Sequence, residues 1–228
     1  MLKIILFDLD QTILDFKACE KAALSDALLA IGVCPDDEMI SKYSAINDEC
    51  WKMLEKGEIT REILRTRRFE RLFAFYRIAG DPVSFADSYM DNLSRTAIYM
   101  DGAQDVLRKL SETYDLYAVT NGYAQTQRGR IESAGLSAFF KDFFISEEIG
   151  CVKPESEFFE RCARKIPSFD KADCVLVGDS LTSDIKGGAA FGVKTIWLCG
   201  GKPLPNGAVA PDFTINDIKE LPDLIAAL

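Results

Sequence analysis

The sequence contains no histidine. That absence removes a Ser-His-Asp triad, a Cys-His pair, histidine-ligated zinc and a histidine general base together. Proton transfer near neutral pH is left to a carboxylate, Lys, Tyr, Cys or metal-bound water. No cysteine pair has C-x-x-C spacing, and the count is odd: Cys19, Cys34, Cys50, Cys151, Cys162, Cys174 and Cys199. Cys174 and Cys199 lie in or beside apolar runs, where a free thiol acts as a small hydrophobe. A reduced, cytoplasmic chain without a disulfide framework is the expectation. No apolar run approaches the ~18–20 residues that cross a bilayer. Lys3 leads straight into Ile4 to Phe7, a run too short for the apolar core of a signal peptide. Positive charge is scarce as well: 27 basic residues face 36 acidic ones for a net −9. Nothing offers the basic stripe that nucleic acid or an anionic membrane requires, so neither is an expected partner.

The 228 residues, 48% hydrophobic and 11% aromatic, are enough for one large domain or one domain with a modest insert. The stretch Ile4-Ile5-Leu6-Phe7-Asp8-Leu9-Asp10-Gln11-Thr12 begins as a strand buried on both faces and ends in two carboxylates. Desolvated carboxylates are costly unless a cation or hydrogen bonds compensate them, so Asp8 is expected to emerge into a site that holds a cation. From about residue 16 to 95 there is no convincing strand. Four helices are predicted: 17–32; from Pro35-Asp36-Asp37 to about Lys56; from Thr60 to a stop at Gly80-Asp81-Pro82; and one capped by Ser84. In the third, Arg61, Arg65, Arg67, Arg68, Arg71 and Arg77 read as a solvated face paired with Glu62 and Glu70. Phe69, Phe73, Phe75 and Tyr76 read as bundle core.

Beyond residue 98, strands alternate with helices. Strands are expected at 116–119, 143–145, 174–177 and 194–198, with helices opening near Gly102, 124, Pro154, 182 and Asp217. The fold class is therefore α/β: a Rossmann-like parallel sheet core with helices on both faces, formed by residues 1–15 and 96–228. Residues 16–95 form a four-helix insertion after the first strand. In such sheets the ligand lies beyond the carboxyl ends of the strands. Those ends carry Asp8-x-Asp10-x-Thr12, Thr120-Asn121-Gly122, Cys151-Val152-Lys153-Pro154 and Gly178-Asp179-Ser180-x-x-x-Asp184. Any one of them alone would be an ordinary cap or turn. The four in strand order are a constellation.

Together these segments resemble the motifs of the haloacid dehalogenase-like (HAD) hydrolase superfamily, and the helical insertion resembles the cap of many members. The wording Gly178-Asp179-Ser180-Leu181-Thr182-Ser183-Asp184-Ile185 is closest to the bacterial pyrimidine 5′-nucleotidase branch. Gln11 stands where many members have Gly. The resemblance implies a phosphoric monoester hydrolase working through an aspartyl-phosphate. Asp8 would be the nucleophile and Asp10 the general acid and base, with crowded carboxylates helping Asp10 hold a proton. Mg²⁺ would bind Asp8, the Asp10 carbonyl and Asp179. Thr120, the Asn121 N–H and Lys153 would hold the phosphoryl group, Lys153 also neutralising charge on Asp8, and Asp184 would act from behind. The partner implied is a small phosphorylated metabolite, with the chain a monomer or weak homodimer. A phosphosugar mutase or phosphoglycolate-type phosphatase would use the same core. Asp10 argues against a dehalogenase, and the insertion argues against a non-catalytic phosphate-binding regulator. No G-x-G-x-x-G follows the first strand, which argues against nicotinamide binding.

Overall fold

The computed structural model describes residues 2–228. Its strands are β1 Ile4–Phe7, β2 Asp115–Thr120, β3 Asp142–Ile145, β4 Cys174–Gly178, β5 Lys194–Leu198 and β6 Phe213–Ile215. Its α-helices are α1 Phe16–Ala30, α2 Asp37–Glu55, α3 Arg61–Tyr76, α4 Pro82–Arg95, α5 Ala103–Ser111, α6 Ala124–Ser133, α7 Ser146–Ile149, α8 Ser156–Ala163, α9 Lys186–Phe191 and α10 Leu221–Ala226. The chain divides into two compact units, one from Met1–Phe16 with Ala97–Leu228 and one from Lys17–Thr96.

The first unit is an α/β sheet with every pairing parallel, in the order β3-β2-β1-β4-β5-β6. The period-two pleat splits its apolar residues into two layers. Ile5 and Phe7 of β1, Val175 and Val177 of β4, and Ile196 of β5 pack with Val106, Leu107 and Leu110 of α5 and Leu221 and Ile225 of α10. Ile4, Leu6, Cys174 and Leu176 point the other way, onto Phe158, Phe159 and Cys162 of α8. Burial on both faces is why the strands read as unbroken apolar runs. The chain runs from β1 out to β2 and β3, then returns to β4 on the other side of β1. The topological switch point, where ligands of such sheets bind, therefore lies at the carboxyl ends of β1 and β4.

Several local expectations are corrected. The helix expected over 17–32 ends at Ala30. Asp81, not Ser84, caps α4, accepting from the N–H groups of Val83 and Ser84, with Pro82 as the first helical residue. Helix α3 stops at Arg77, which adopts φ +53°, before Gly80 is reached. Pro154 does not open a helix: it follows a cis peptide bond, and α8 begins at Ser156. The expected helix over 182–190 is a π-helical turn, Leu181–Ile185, running into α9. Short β6 and α7 were not anticipated, because three or four residues carry too little periodicity to register.

In the second unit, Phe69 is the aromatic centre, stacked on Tyr43 at 5.3 Å and edge-on to Phe85 at 5.2 Å. Two of the arginines expected to pair within α3 bridge to other helices instead. Arg65 pairs with Asp87 of α4, and Arg71 with Glu49 of α2 at 2.6 Å. Arg68 is only 2% exposed and donates to Asn47 Oδ1 at 2.9 Å. Asn47 Nδ2 in turn donates to the buried Glu20 at 2.7 Å. Phe75 is 57% exposed rather than core, since it falls off the stripe set by Leu64, Phe69, Leu72 and Phe73. No helix among the described residues is long and apolar enough to cross a membrane.

Candidate active site

Asp8 is the first residue past β1. Its N–H still donates to Val177 O at 2.9 Å, so the strand pairing carries it to the switch point before the chain turns. The turn is closed by Ile13 N and Leu14 N, both donating to Leu9 O, and by Gln11 N donating to Leu14 O at 2.8 Å. Gln11 adopts φ +61°, a left-handed conformation that glycine adopts without strain, so the turn keeps its form with a residue that pays for it. This brings Thr12 back beneath Asp8, where its hydroxyl donates to Asp8 Oδ2 at 3.2 Å.

Lys153, in the segment between α7 and α8, reaches the same carboxylate. Its three ammonium hydrogens meet three acceptors: Asp8 Oδ1 at 2.7 Å, Asp184 Oδ1 at 2.6 Å and Val119 O at 2.8 Å. Lys153 is 1% exposed and Asp184 fully buried, so the pairings are desolvated and gain strength accordingly. The Lys153 backbone is held by Asn121, whose side chain accepts from Lys153 N at 2.8 Å and donates to Lys153 O at 2.9 Å. Asp184 is aimed by the π-helical turn, and its Oδ2 accepts from Ser180 N at 3.1 Å. Gly178 makes room for it, since a Cβ there would lie 2.4 Å from Asp184 Oδ2. The Asp179 carbonyl accepts from Trp197 Nε1 at 2.8 Å.

Asp8, Asp179 and Asp184 each present a carboxylate oxygen, all within 4.8 Å of one another. Fully ionised, three carboxylates against one ammonium would leave an excess of two negative charges. Burial pushes Asp8 well above the usual 3.8; Lys153 opposes this, and Asp184 and Asp179 add to it. Burial, then the charge of Asp184, pushes Asp179 up to about 7. For Lys153, burial works against the charged form, but Asp184 and Asp8 outweigh it and hold the ammonium above its ordinary value. A compact, oxygen-only set carrying this excess charge fits a hard divalent cation such as Mg²⁺.

Asp10 has a different setting. Its side chain does not belong to the carboxylate cluster found among the described residues. Instead it accepts from Arg130 at Oδ1 and from Gln127 Nε2 at Oδ2, the latter at 3.1 Å. The side-chain partners of Asp10 are thus hydrogen-bond donors. Thr120, 1% exposed, closes the group: its Oγ1 accepts from Gln127 Nε2 at 2.7 Å. Gln127 and Arg130 were not anticipated from sequence. The available signal was the composition of α6, Ala-Gln-Thr-Gln-Arg-Gly-Arg-Ile-Glu-Ser, a helix next to a central strand whose buried residues are Thr126, Gln127, Arg130 and Ile131. A core helix that buries polar side chains instead of an apolar stripe is answering to something besides packing.

A family model for haloacid dehalogenase-like hydrolases matches residues 2–192. The HAD-hydrolase YfnB of Bacillus subtilis is 36% identical over 217 residues, covering 95% of this chain and 92% of YfnB. The crystal structure of YfnB bound to magnesium superposes with a TM-score of 0.93 over 98% of each chain. The pyrimidine 5′-nucleotidase PynA of Streptococcus pneumoniae is 40% identical over 196 residues, 86% of this chain and 83% of PynA. The pyrimidine 5′-nucleotidase YjjG of Escherichia coli is 29% identical over 222 residues, 97% and 96% of the two chains. A charged cluster at the switch point of an all-parallel sheet, with likeness along nearly the whole length, assigns the chain: it belongs to the haloacid dehalogenase-like hydrolases.

Proposed function

We propose that the chain is a Mg²⁺-dependent phosphatase of small phosphomonoesters, with nucleoside 5′-monophosphates the leading substrate class. The observation that carries this reading is the unlike setting of two carboxylates two residues apart. Asp8 is fixed at Oδ1 by Lys153 and at Oδ2 by Thr12, inside a cluster with excess negative charge. Asp10 stands outside that cluster on Arg130 and Gln127. That unlike setting supports a reading in which Asp8 attacks phosphorus and Asp10 carries a proton, a division of labour that suits a chain without histidine. The naming of PynA and YjjG as pyrimidine 5′-nucleotidases directs the substrate choice.

In this reading Asp8 forms an aspartyl-phosphate. Asp10 donates a proton to the leaving alkoxide, then takes one from the hydrolytic water. Mg²⁺ would be held by Asp8, the Asp10 carbonyl and Asp179, and would supply charge stabilisation to the phosphoryl oxygens. Lys153 has its three donors engaged on Asp8, Asp184 and Val119, so its part toward the phosphoryl group is chiefly charge, with Asp184 holding it in place. Thr120 and the Asn121 N–H would bind phosphoryl oxygens.

The test is a phosphomonoester screen with Mg²⁺ that includes dTMP, UMP, phosphoglycolate and sugar phosphates, run beside Asp8→Asn. The expected result is phosphate release from at least one nucleotide, with Asp8→Asn folded and below about one-thousandth of that rate. Full activity in EDTA, or near-full activity of Asp8→Asn, would remove the assignment.

A further inference from the structure

On the reading that Asp10 and Thr120 face a phosphomonoester, we propose that Gln127 and Arg130 are positioning residues. They fix the Thr120 hydroxyl as a donor toward the phosphoryl group and hold the Asp10 carboxylate beside it.

A hydroxyl has one hydrogen to donate and two lone pairs with which to accept. Thr120 Oγ1 accepts from Gln127 Nε2 at 2.7 Å and from the Gly122 N–H at 3.3 Å. With both lone pairs engaged, the O–H of this buried threonine is left to donate, which is what a phosphoryl oxygen needs. The arrangement depends on which way the Gln127 amide points, and Arg130 decides that. A guanidinium only donates. Its NH1 lies 2.8 Å from Gln127 Oε1, so the amide oxygen faces Arg130 and the NH₂ group faces away. That NH₂ has two hydrogens, which go to Thr120 Oγ1 and, at 3.1 Å, to Asp10 Oδ2. Arg130 closes the ring by donating to Asp10 Oδ1.

The support around this ring is built in. Positions 127 and 130 are three apart on α6 and so share a face. The helix is tied to its neighbour by Arg128 on Glu148, at 3.0 and 2.6 Å, and by Ala124 N on Glu147 at 2.7 Å. Gly122 is where Gln127 passes: a Cβ there would sit 2.4 Å from Gln127 Cγ. Gln127 and Arg130 are 2% and 1% exposed, a desolvation cost that packing alone would avoid with apolar side chains.

The test compares Gln127→Leu, Gln127→Glu and Arg130→Lys with the unaltered protein, all with Mg²⁺. Binding of inorganic phosphate is measured by calorimetry and turnover by steady-state kinetics. Gln127→Leu is expected to weaken phosphate binding about tenfold, with KM raised and kcat lowered. Gln127→Glu is expected to be worse although it keeps the shape, because its carboxylate would accept the Thr120 O–H, turning it away from the ligand, and would stand against Asp10. Arg130→Lys is expected to lie between, and it carries the comparison if Gln127→Leu does not fold. In a Thr120→Val background the KM effect of Gln127→Leu should vanish, and in an Asp10→Asn background its kcat effect should vanish. A packing role predicts the reverse order, Gln127→Glu mildest, with equal effects in every background, and that result overturns the proposal. If the unaltered chain turns over phosphomonoesters and the variants match it, this proposal fails alone. If it binds phosphate with the expected variant order but hydrolyses nothing, the phosphatase reading fails and the positioning of Thr120 stands. If it neither binds nor hydrolyses, both fail.

Discussion

Gly178→Ala is a one-carbon change whose consequence can be worked from the structure. The backbone at 178 is not left-handed, so alanine would fit it and would gain about 0.4–1 kcal/mol by restricting the unfolded chain. The obstacle is Asp184. The new Cβ would lie 2.4 Å from its Oδ2, 2.5 Å from its Cγ and 2.6 Å from its Cβ. That side chain is fully buried and clamped by Lys153 at 2.6 Å and Ser180 N at 3.1 Å, so it has no free volume to swing into. Overpacking of this kind costs about 1–3 kcal/mol. Losing a charge-assisted hydrogen bond adds about 1.5–3 kcal/mol. After the entropic gain, the net destabilisation is about 3 kcal/mol, or a fall in Tm of about 6–12 °C for a chain of this size. Turnover should fall at least about tenfold, because Lys153 would lose one of the two carboxylates that hold it. The decisive assay is a double-mutant cycle with Asp184→Gly, followed by calorimetric melting. Removing every atom of the Asp184 side chain should reduce the cost of Gly178→Ala to less than about 0.5 kcal/mol. An equal cost in both backgrounds would show that Gly178 is needed for some other reason.

Two further outcomes test the helical unit. Burial raises Glu20 above its usual 4.5, despite hydrogen bonds from Ser44 and Asn47. The folded state therefore holds that proton more tightly than the unfolded chain does. Its stabilising contribution is complete below about 4.5 and lost as pH rises through the raised value. Glu20→Gln should consequently gain stability relative to the unaltered chain as pH rises from about 4 to about 8 in urea titrations. A flat difference across that range would contradict the burial argument. Phe69→Ala, at the centre of the aromatic cluster, should cost about 3–5 kcal/mol. Phe75→Ala should cost less than about 1 kcal/mol, because that ring is exposed and touches only the periphery of the bundle, with Tyr76 edge-on at 4.9 Å and Lys42 Nζ over its face at 4.4 Å. Equal losses in chemical denaturation would mean the two positions had been misjudged.

The general plan was legible because parallel strands all point the same way. The polar residue that ends each apolar run must then emerge on one rim, which is how Asp8, Thr120 and Asp179 read as neighbours across more than a hundred residues of chain. The helical insertion was legible from apolar spacing. Its charge partners were not: Arg65 and Arg71 look like intrahelical pairs along the sequence, but bridge to α4 and α2 once the helices pack. Element ends were misread where two signals competed. Pro154 matched a first helical residue, yet belongs to the turn that presents Lys153, and Ser84 matched a cap, yet sits inside a helix capped by Asp81. Asn121 was read for its backbone N–H, while its side chain also braces Lys153, a pairing 32 residues apart with no local signature.

Both glycines in the strand-end motifs would be assigned to turns by sequence pattern, and neither has the positive φ that such a role would demand. Each is instead a place where a buried polar side chain from the following helical segment crosses the backbone: Gln127 over Gly122, and Asp184 over Gly178. Each of those side chains acts on a neighbour and does not project outward itself. Gln127 donates to Thr120 and Asp10, and Asp184 accepts from Lys153. A missing Cβ two residues past Thr120 and one before Asp179 is therefore a sequence-level marker of the supporting residue. The marker names that residue through close approach: the side chain that fills the vacated volume must come from the helical turns immediately downstream, five residues on in one case and six in the other. Read this way, Gly122 points to Gln127 as directly as Gly178 points to Asp184. The polar inner face of α6 then has the same physical origin as the acidic residue of the π-helical turn.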